Sequence, residues 1–158
     1  MTATVFTLSL VVLLGTAIIG GVFFAFSNFV MPALEKRPTA EGMAVMQSIN
    51  VTVLNPWFLA TFMGTAPLSV LLAYLAWSAD VDGKPWIVAA GIAYTVGTFL
   101  VTIAGNVPLN ERLAKTDAAT EGADQLWRHY LVKWTRLNTV RTIASLASTL
   151  MLAVAIAD

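Results

Sequence analysis

The stretch TVFTLSLVVLLGTAIIGGVFFAFSNFV, residues 4–30, decides the fold class of this chain. None of its 27 residues is charged. At about 1.5 Å rise per residue, a helix of this length crosses the roughly 30 Å hydrocarbon core of a membrane. No basic segment precedes the run, and it is longer than the apolar part of a signal peptide, so we expect it to be retained as the first membrane span.

The rest of the chain has the same apolar character. Of its 158 residues, 58% are hydrophobic and only 11% are charged, and the mean hydropathy is +0.76. Three further apolar segments predict membrane spans, at about residues 57–77, 85–104 and 140–157. The sequence therefore predicts an all-α integral membrane protein, a four-helix bundle that forms a single transmembrane domain over residues 1–158.

Charge and composition exclude several classes of function. Nine acidic and nine basic residues cancel, which argues against a nucleic-acid partner. The absence of cysteine excludes disulfides, thiolate metal sites and iron-sulfur clusters. The single histidine, His129, cannot supply a multi-histidine metal site or paired haem ligands. We expect no metal and no cofactor, and we expect the lipid bilayer and a hydrophobic aromatic small molecule as partners.

The basic residues predict the orientation in the membrane. Eight of the nine lie in, or at the edge of, the connections between spans one and two and between spans three and four, whereas Lys84 lies in the other connection. Cytoplasmic loops accumulate lysine and arginine. The pattern predicts a multi-pass protein of the plasma membrane with both termini outside.

Both cytoplasmic connections have helical patterns. Residues 39–54 place apolar residues on one helical face before Pro56, which interrupts or kinks the helix. Trp127, Trp134 and Arg141 recur on one face of a continuous helix that leads into span four. Helices two and four are therefore predicted to extend on the cytoplasmic side.

Polar residues of all four spans fall at one depth, near the predicted cytoplasmic side. We term these residues the polar layer: Ser27, Asn28, Asn50, Asn55, Asn106, Asn110, Asn138 and Arg141. Polar groups are costly in hydrocarbon and usually face a cavity or the bundle interior. The layer therefore indicates a polar pocket. Its alternative role is hydrogen bonding between helices, worth roughly 0.6 to 2 kcal/mol per group.

Three members of the layer have specific expected roles. Asn106 and Asn110, four residues apart around Pro108, project to one side of a helix and would line the pocket. Arg141 would bind a phenolate, enolate or carboxylate oxygen in a forked geometry. The alternative for Arg141 is a basic anchor that extends to the membrane surface.

Residues near the layer have two interpretations each. Trp127 and Trp134 either stack on a flat aromatic ligand or form an interfacial belt. His129 is a candidate general base, but its angle on the helix turns it away from the tryptophans, which favours a solvent-facing position. Glu111 is placed at the pocket rim, as a base or in a salt bridge.

Four segments resemble a known family: FFAFSNFVMPAL (23–34), MQSINVTVLNPWFLATFMG (46–64), NVPLNERLA (106–114) and WRHYLVKWTRLNTVRTIASLAS (127–148). In this order they are similar to the small four-helix membrane proteins grouped with fungal anthrone oxygenases, many of whose bacterial members are known only as a domain of unknown function. The resemblance carries seven family motif positions onto this chain: Asn106, Pro108, Asn110, Trp127, Trp134, Asn138 and Arg141.

The resemblance implies oxidation of an anthrone to an anthraquinone by molecular oxygen. Such a reaction needs an apolar slot, hydrogen-bond donors for an enolate oxygen and a base. Trp127 and Trp134 are candidates for the slot, and His129 or Glu111 for the base. The candidate donors are Arg141, Asn106, Asn110 and Asn138, and the further candidate pocket residues are Asn50, Asn55 and Asn28.

Two other functions agree with the same residues. The first is a non-catalytic binding protein or small transporter for an amphipathic metabolite, and the second is an accessory membrane subunit in which the asparagines only join helices. Glycines on spans one and three allow close helix contacts, within one chain or in a homo-oligomer.

Overall fold

A computed structural model describes all 158 residues. It contains five helices and no β-strand. The helices are α1 (Ala3–Glu35), α2 (Thr39–Thr52), α3 (Pro56–Ser78), α4 (Lys84–Ala114) and α5 (Ala123–Ala157). All except α2 are long and apolar enough to cross a membrane. The predicted all-α class with four membrane-compatible helices is therefore confirmed.

The helix ends follow local sequence signals. Asn55 caps α3, because its Oδ1 accepts a hydrogen bond from the Phe58 backbone N–H at 3.0 Å. Pro56 occupies the first position of α3, where its missing N–H leaves no hydrogen bond unmade. Gly83 (φ 73°) and Gly122 (φ 85°) precede α4 and α5 with left-handed backbone conformations that glycine adopts without steric cost.

The segment before span two is helical, and the helix is interrupted before Pro56, one of the two outcomes that the proline predicted. The part before span two is the separate helix α2, and the chain turns at residues 53–55 before α3 begins. Pro56 forces the residue before it into an extended conformation, and Asn55 has φ −87° and ψ 159°. Gln47 fastens α2 to the end of α4, where its Nε2 donates to the carbonyls of Leu113 at 2.8 Å and Thr116 at 3.1 Å.

The predicted extension of helix four is confirmed, because α5 is one continuous helix of 35 residues. The helices that carry spans one and three also run past the predicted span ends at residues 30 and 104. They do so through π-helical turns, each holding more residues per turn than an α-helix. These turns lie at Phe26–Val30 in α1 and at Ala93–Leu100 and Thr102–Asn106 in α4.

The packing of the long helices creates two different ends. At the closed end, where α1 and α4 begin and α3 and α5 end, a cluster that includes Val12, Leu72, Ile87 and Leu152 is almost fully buried. At the opposite end, α3 separates from α4: it packs along Lys84–Leu100 but makes few contacts with the rest of α4. We term this second region the cavity end.

Candidate functional site

A cavity of about 280 Å³ lies at the cavity end, and all five helices contribute to its wall. This volume is near the lower limit of ligand pockets, roughly 300 to 1,000 Å³. Fourteen of its eighteen lining residues are hydrophobic. The polar ones are Asn50, Thr102, Asn110 and Arg141, so the cavity is an apolar chamber with a few hydrogen-bonding groups.

The Arg141 side chain is the charged group of this wall, and it is 4% exposed. Its Nη2 donates to Oδ1 of Asn138 at 2.6 Å, and its Nη1 donates to the Thr102 hydroxyl at 3.2 Å. A guanidinium has five N–H donors. Its Nε is buried without a hydrogen-bond partner, so the hydrogen-bonding capacity of the guanidinium is not fully used.

No acidic side chain neutralises Arg141. The ion pairs of the chain are Arg37 with Glu41 and Lys84 with Asp80, both remote from it in sequence and at the surface. Aromatic rings surround the cation instead: the Cζ atom lies 4.0 Å from the ring centre of Phe23 and 5.2 Å from that of Trp134. Ring faces attract a cation but do not neutralise its charge. The site therefore holds an uncompensated positive charge.

Asn138 holds Arg141 in place. Its side chain is fully buried, and its Nδ2 donates to the Phe23 carbonyl at 2.6 Å and to the Ser27 hydroxyl at 2.7 Å. These two bonds orient Oδ1 toward the guanidinium, one helical turn further along α5. Asn138 does not line the cavity, so it acts on the wall through Arg141.

Asn110 has a similar orienting network, and like Arg141 it contacts Trp134. Its Oδ1 accepts hydrogen bonds from the Tyr130 hydroxyl and from Nε1 of Trp134, both at 2.8 Å. With Oδ1 occupied, the Nδ2 group of Asn110 is the part with free donors. Asn50 Nδ2 lies 3.5 Å from the Tyr130 oxygen, which joins α2 to this network.

The aromatic residues of α5 form a stack, but only one of them lines the cavity. Ring centres are 5.6 Å apart between Trp127 and Tyr130 and 6.1 Å apart between Tyr130 and Trp134. Trp134 lines the cavity, whereas Trp127 is buried against α2, where Gly42 leaves room for its ring. Trp127 thus packs the wall from behind, and no part of it borders the cavity.

Asn106 is buried in a π-helical turn of α4 and is outside the cavity lining. Its Nδ2 donates to the Trp134 carbonyl at 3.2 Å, and its Oδ1 has no hydrogen-bond partner. This bond is of the kind expected for hydrogen bonding between helices. Asn106 and Asn110 therefore both contact α5, but only Asn110 faces the cavity.

Four predicted site residues lie away from the cavity. Asn28 is exposed on α1, and Asn55 is exposed and occupied as the helix cap of α3. Glu111 is exposed on α4. His129 faces solvent, as its helical angle indicated, and lines a separate open surface pocket of about 440 Å³. Neither candidate general base borders the apolar cavity.

The structure adds site residues that the sequence did not single out. Tyr130 donates a hydrogen bond to Asn110, and Thr102 accepts one from Arg141. Phenylalanines supply much of the apolar wall. These are Phe23, Phe26, Phe58 and Phe62. The dense phenylalanines of residues 23–29 were a usable signal, but the π-helical turn there alters which faces of α1 they occupy.

Comparison with known proteins gives one match. A family model described as anthrone oxygenase matches residues 57–151, more than half of the chain. The matched segment contains Asn110, Tyr130, Trp134, Asn138 and Arg141. Neither the curated proteins nor the solved structures give a match.

Proposed function

The chain belongs to the anthrone oxygenase family, and from this membership we propose that it oxidises a hydrophobic phenolic or anthrone-like molecule with molecular oxygen, in the plasma membrane and without a cofactor. The observation that carries the proposal is Arg141. A buried guanidinium without an acidic partner, beside an apolar cavity, has the chemistry of a site for a flat molecule with one anionic oxygen.

The substrate binds in two parts. Its ring system contacts the apolar wall, including Trp134 and the phenylalanines, and its oxygen accepts hydrogen bonds from Arg141. Asn110 Nδ2 is the second donor, because its Oδ1 is already occupied by Tyr130 and Trp134. Donors fixed in this way need no reorganisation when negative charge develops on the substrate.

The positive charge favours the enolate form of the substrate. An anthrone loses a proton from its CH₂ group, and the resulting negative charge is shared with the carbonyl oxygen. No carboxylate or imidazole lines the cavity, so the proton passes to water, and the wall acts by stabilising the anion. Arg141 and Asn110 therefore act on the substrate, without His129 or Glu111.

Oxidation then requires only oxygen. The enolate carbon donates an electron pair to O₂, a C–O bond forms, and the peroxide takes up a proton. Loss of the second proton from the same carbon breaks the O–O bond and leaves a carbonyl group and water. One O₂ is consumed for each quinone, with one oxygen atom in the product and one in water.

Oxygen uptake by the detergent-purified protein with a simple anthrone tests the proposal. A chelator is present, the spontaneous rate is subtracted, and Arg141→Met is compared with Arg136→Met, an exposed arginine on the same helix. We expect Arg141→Met to lose roughly 10²- to 10³-fold of the acceleration and Arg136→Met to retain it. Equal rates in wild type and Arg141→Met would contradict the assigned role of Arg141.

A second candidate is a protein that binds an amphipathic metabolite without turning it over. The absence of an acid or base side chain from the cavity wall favours it, because recognition needs none. Wild-type protein that binds anthrone through Arg141 but does not accelerate oxygen uptake would support this candidate over the oxygenase.

The orientation with both termini outside, and association into a homo-oligomer, remain predictions. The absence of native cysteine makes the orientation directly measurable. A cysteine at exposed Arg136 should react with an impermeant thiol reagent only from the cytoplasmic side. Reaction only from outside would contradict the predicted orientation and place both termini in the cytoplasm.

A further inference from the structure

The cavity is open sideways, through the gap where α3 separates from α4. Four apolar lining residues at this gap are also exposed on the molecular surface: Leu54 (63%), Met63 (49%), Ile103 (49%) and Val107 (37%). A residue that both lines the cavity and lies on the surface marks its opening. We term this opening the side portal.

The side portal lies within the membrane-compatible part of the helices. Met63 is seven residues after Pro56 and therefore about 10 Å along α3. Ile103 is nineteen residues after Lys84, about 28 Å along α4, from the opposite direction. Both positions fall inside a hydrocarbon core of roughly 30 Å. The portal is thus bordered by apolar side chains at a depth occupied by lipid.

The side of the cavity that faces water is more tightly packed than the side portal. Beneath the cavity, α2 and the ends of α4 and α5 form a cluster in which Met43, Met46, Leu113 and Tyr130 are at most 2% exposed. Gln47 fixes α2 over the end of α4. The surface pocket beside His129 meets the back of this cluster at Tyr130. This packed layer closes the aqueous side to a ligand-sized molecule, whereas the single water that accepts the substrate proton is far smaller.

We propose that the ligand enters from the bilayer through the side portal, with Met63 and Ile103 as the residues that control which molecules pass. This inference rests on the proposed function for the chemistry of the ligand. The apolar mouth admits a flat, uncharged molecule dissolved in lipid. Arg141, on the α5 side of the cavity, then holds it once its oxygen is ionised. Water-soluble anions are excluded, because an ion crosses the apolar mouth at high cost.

Labelling of a single cysteine tests the route without turnover. Val22 lines the cavity on α1, and Val22→Cys provides the one thiol of the chain. In lipid vesicles, lipid-soluble N-phenylmaleimide should react with this thiol. A sulfonate-bearing methanethiosulfonate, which stays in water and is not repelled by Arg141, should react roughly a hundredfold more slowly even when present on both sides.

A bulky residue at the mouth should then block labelling. Ile103→Trp, or Met63→Trp if the first variant does not fold, should slow the N-phenylmaleimide reaction about tenfold. Val96→Trp, on an exposed apolar position of α4, is the matched control and should leave the rate unchanged.

The results separate the route from the chemistry. Equal labelling by the charged reagent, absence of labelling by N-phenylmaleimide, or an unchanged rate in both folded mouth variants would overturn the side portal. Failure of oxygen uptake would count against the proposed reaction alone, because the labelling requires no turnover.

Discussion

The closed end and the cavity end use different polar side chains in different ways. At the closed end the polar contacts are made by hydroxyls: Ser69 donates to the carbonyl four residues earlier in its own helix at 2.7 Å, and Ser148 donates to the Ala90 carbonyl of α4 at 2.9 Å. At the cavity end, Asn138, Arg141 and Asn110 bond across helices. Hydroxyls satisfied within their own helix disturb its surface little, so helices can still pack closely.

The difference shows which intramembrane polar groups indicate a site. A hydroxyl satisfied within its own helix is compatible with plain packing and carries no functional information. An amide or guanidinium that is held by neighbours and keeps open donors beside a cavity is arranged for a ligand. The comparison predicts that substitutions at the cavity end change function more than stability, and that substitutions at the closed end do the reverse.

The largest expected effect comes from removing the charge at the cavity end. In Arg141→Met, the 10²- to 10³-fold loss of oxygen uptake, roughly 2.7 to 4 kcal/mol of barrier, should occur with an unchanged or raised melting temperature. Removing a buried charge without an acidic partner offsets the unpaired Oδ1 left on Asn138. Thermal unfolding in detergent measures this. A large drop in melting temperature would mean that Arg141 stabilises the fold, which would contradict the expected difference between the two ends.

The opposite behaviour is expected from Gly15→Ala, at a contact between α1 and α3 that lies between the two ends and outside the cavity wall. A Cβ at Gly15 would lie 2.3 Å from Oγ1 of Thr65, which itself donates to the Thr61 carbonyl, so α1 and α3 must shift or that bond must break. We expect about 1 to 3 kcal/mol of destabilisation with unchanged oxygen uptake below the melting temperature. Gly21→Ala, which meets no atom within 4 Å, is the control and should not destabilise.

A smaller effect is expected from Tyr130→Phe, which keeps the aromatic stack and removes the hydroxyl that donates to Asn110. The loss of one hydrogen bond should cost about 0.5 to 1.5 kcal/mol, and the less firmly held Asn110 should lower oxygen uptake a few-fold. Tyr74→Phe alters an exposed tyrosine and serves as the control. Should Tyr130→Phe behave like Tyr74→Phe, the Asn110 network would have no part in the function.

The smallest effect is expected in the connection between α3 and α4. Lys84 hydrogen-bonds to Asp80 and lowers the pKa of that carboxyl from its ordinary value of 3.8. Because the folded-state pKa is the lower one, the pair adds stability above the ordinary value and loses it as the pH falls through the lowered pKa.

Asp80→Asn should therefore lower the melting temperature slightly at neutral pH and not at acidic pH. Asparagine tolerates the positive φ of 47° at this position, so the backbone need not change. Melting temperatures of wild type, Asp80→Asn and Asp82→Asn over about pH 3 to 7 measure the effect. The same loss at every pH would assign it to the backbone turn and not to the charge.

The sequence predicted how deep each polar residue lies in the membrane better than it predicted which way its side chain points. Runs of apolar residues located the four long helices, because length and hydropathy are additive along a chain. The depth of Asn110 and Arg141 followed from their distance to the span ends. What each amide contacts depends on rotation about the helix axis, and the π-helical turns at Phe26–Val30 and Thr102–Asn106 alter that rotation.

Individual residues illustrate this limit. The continuous α-helical face of α5 allowed the solvent-facing position of His129 to be predicted from spacing alone. Asn55 was assigned to the pocket from its depth, but a position directly before a proline favours a helix cap. Tyr130 was missed because its role depends on Asn110, a residue of another helix.

The contribution of α5 to the cavity also bears on how the protein is made. During synthesis, α1 to α4 reach the membrane before α5, which carries both Arg141 and Trp134. We therefore expect the cavity to be incomplete until α5, which supplies part of its wall, is inserted. The arginine is inserted beside helices that already offer the Phe23 ring and the Thr102 hydroxyl. We therefore expect the side chain that is most costly in lipid to enter the membrane last, when the groups that contact it are already there.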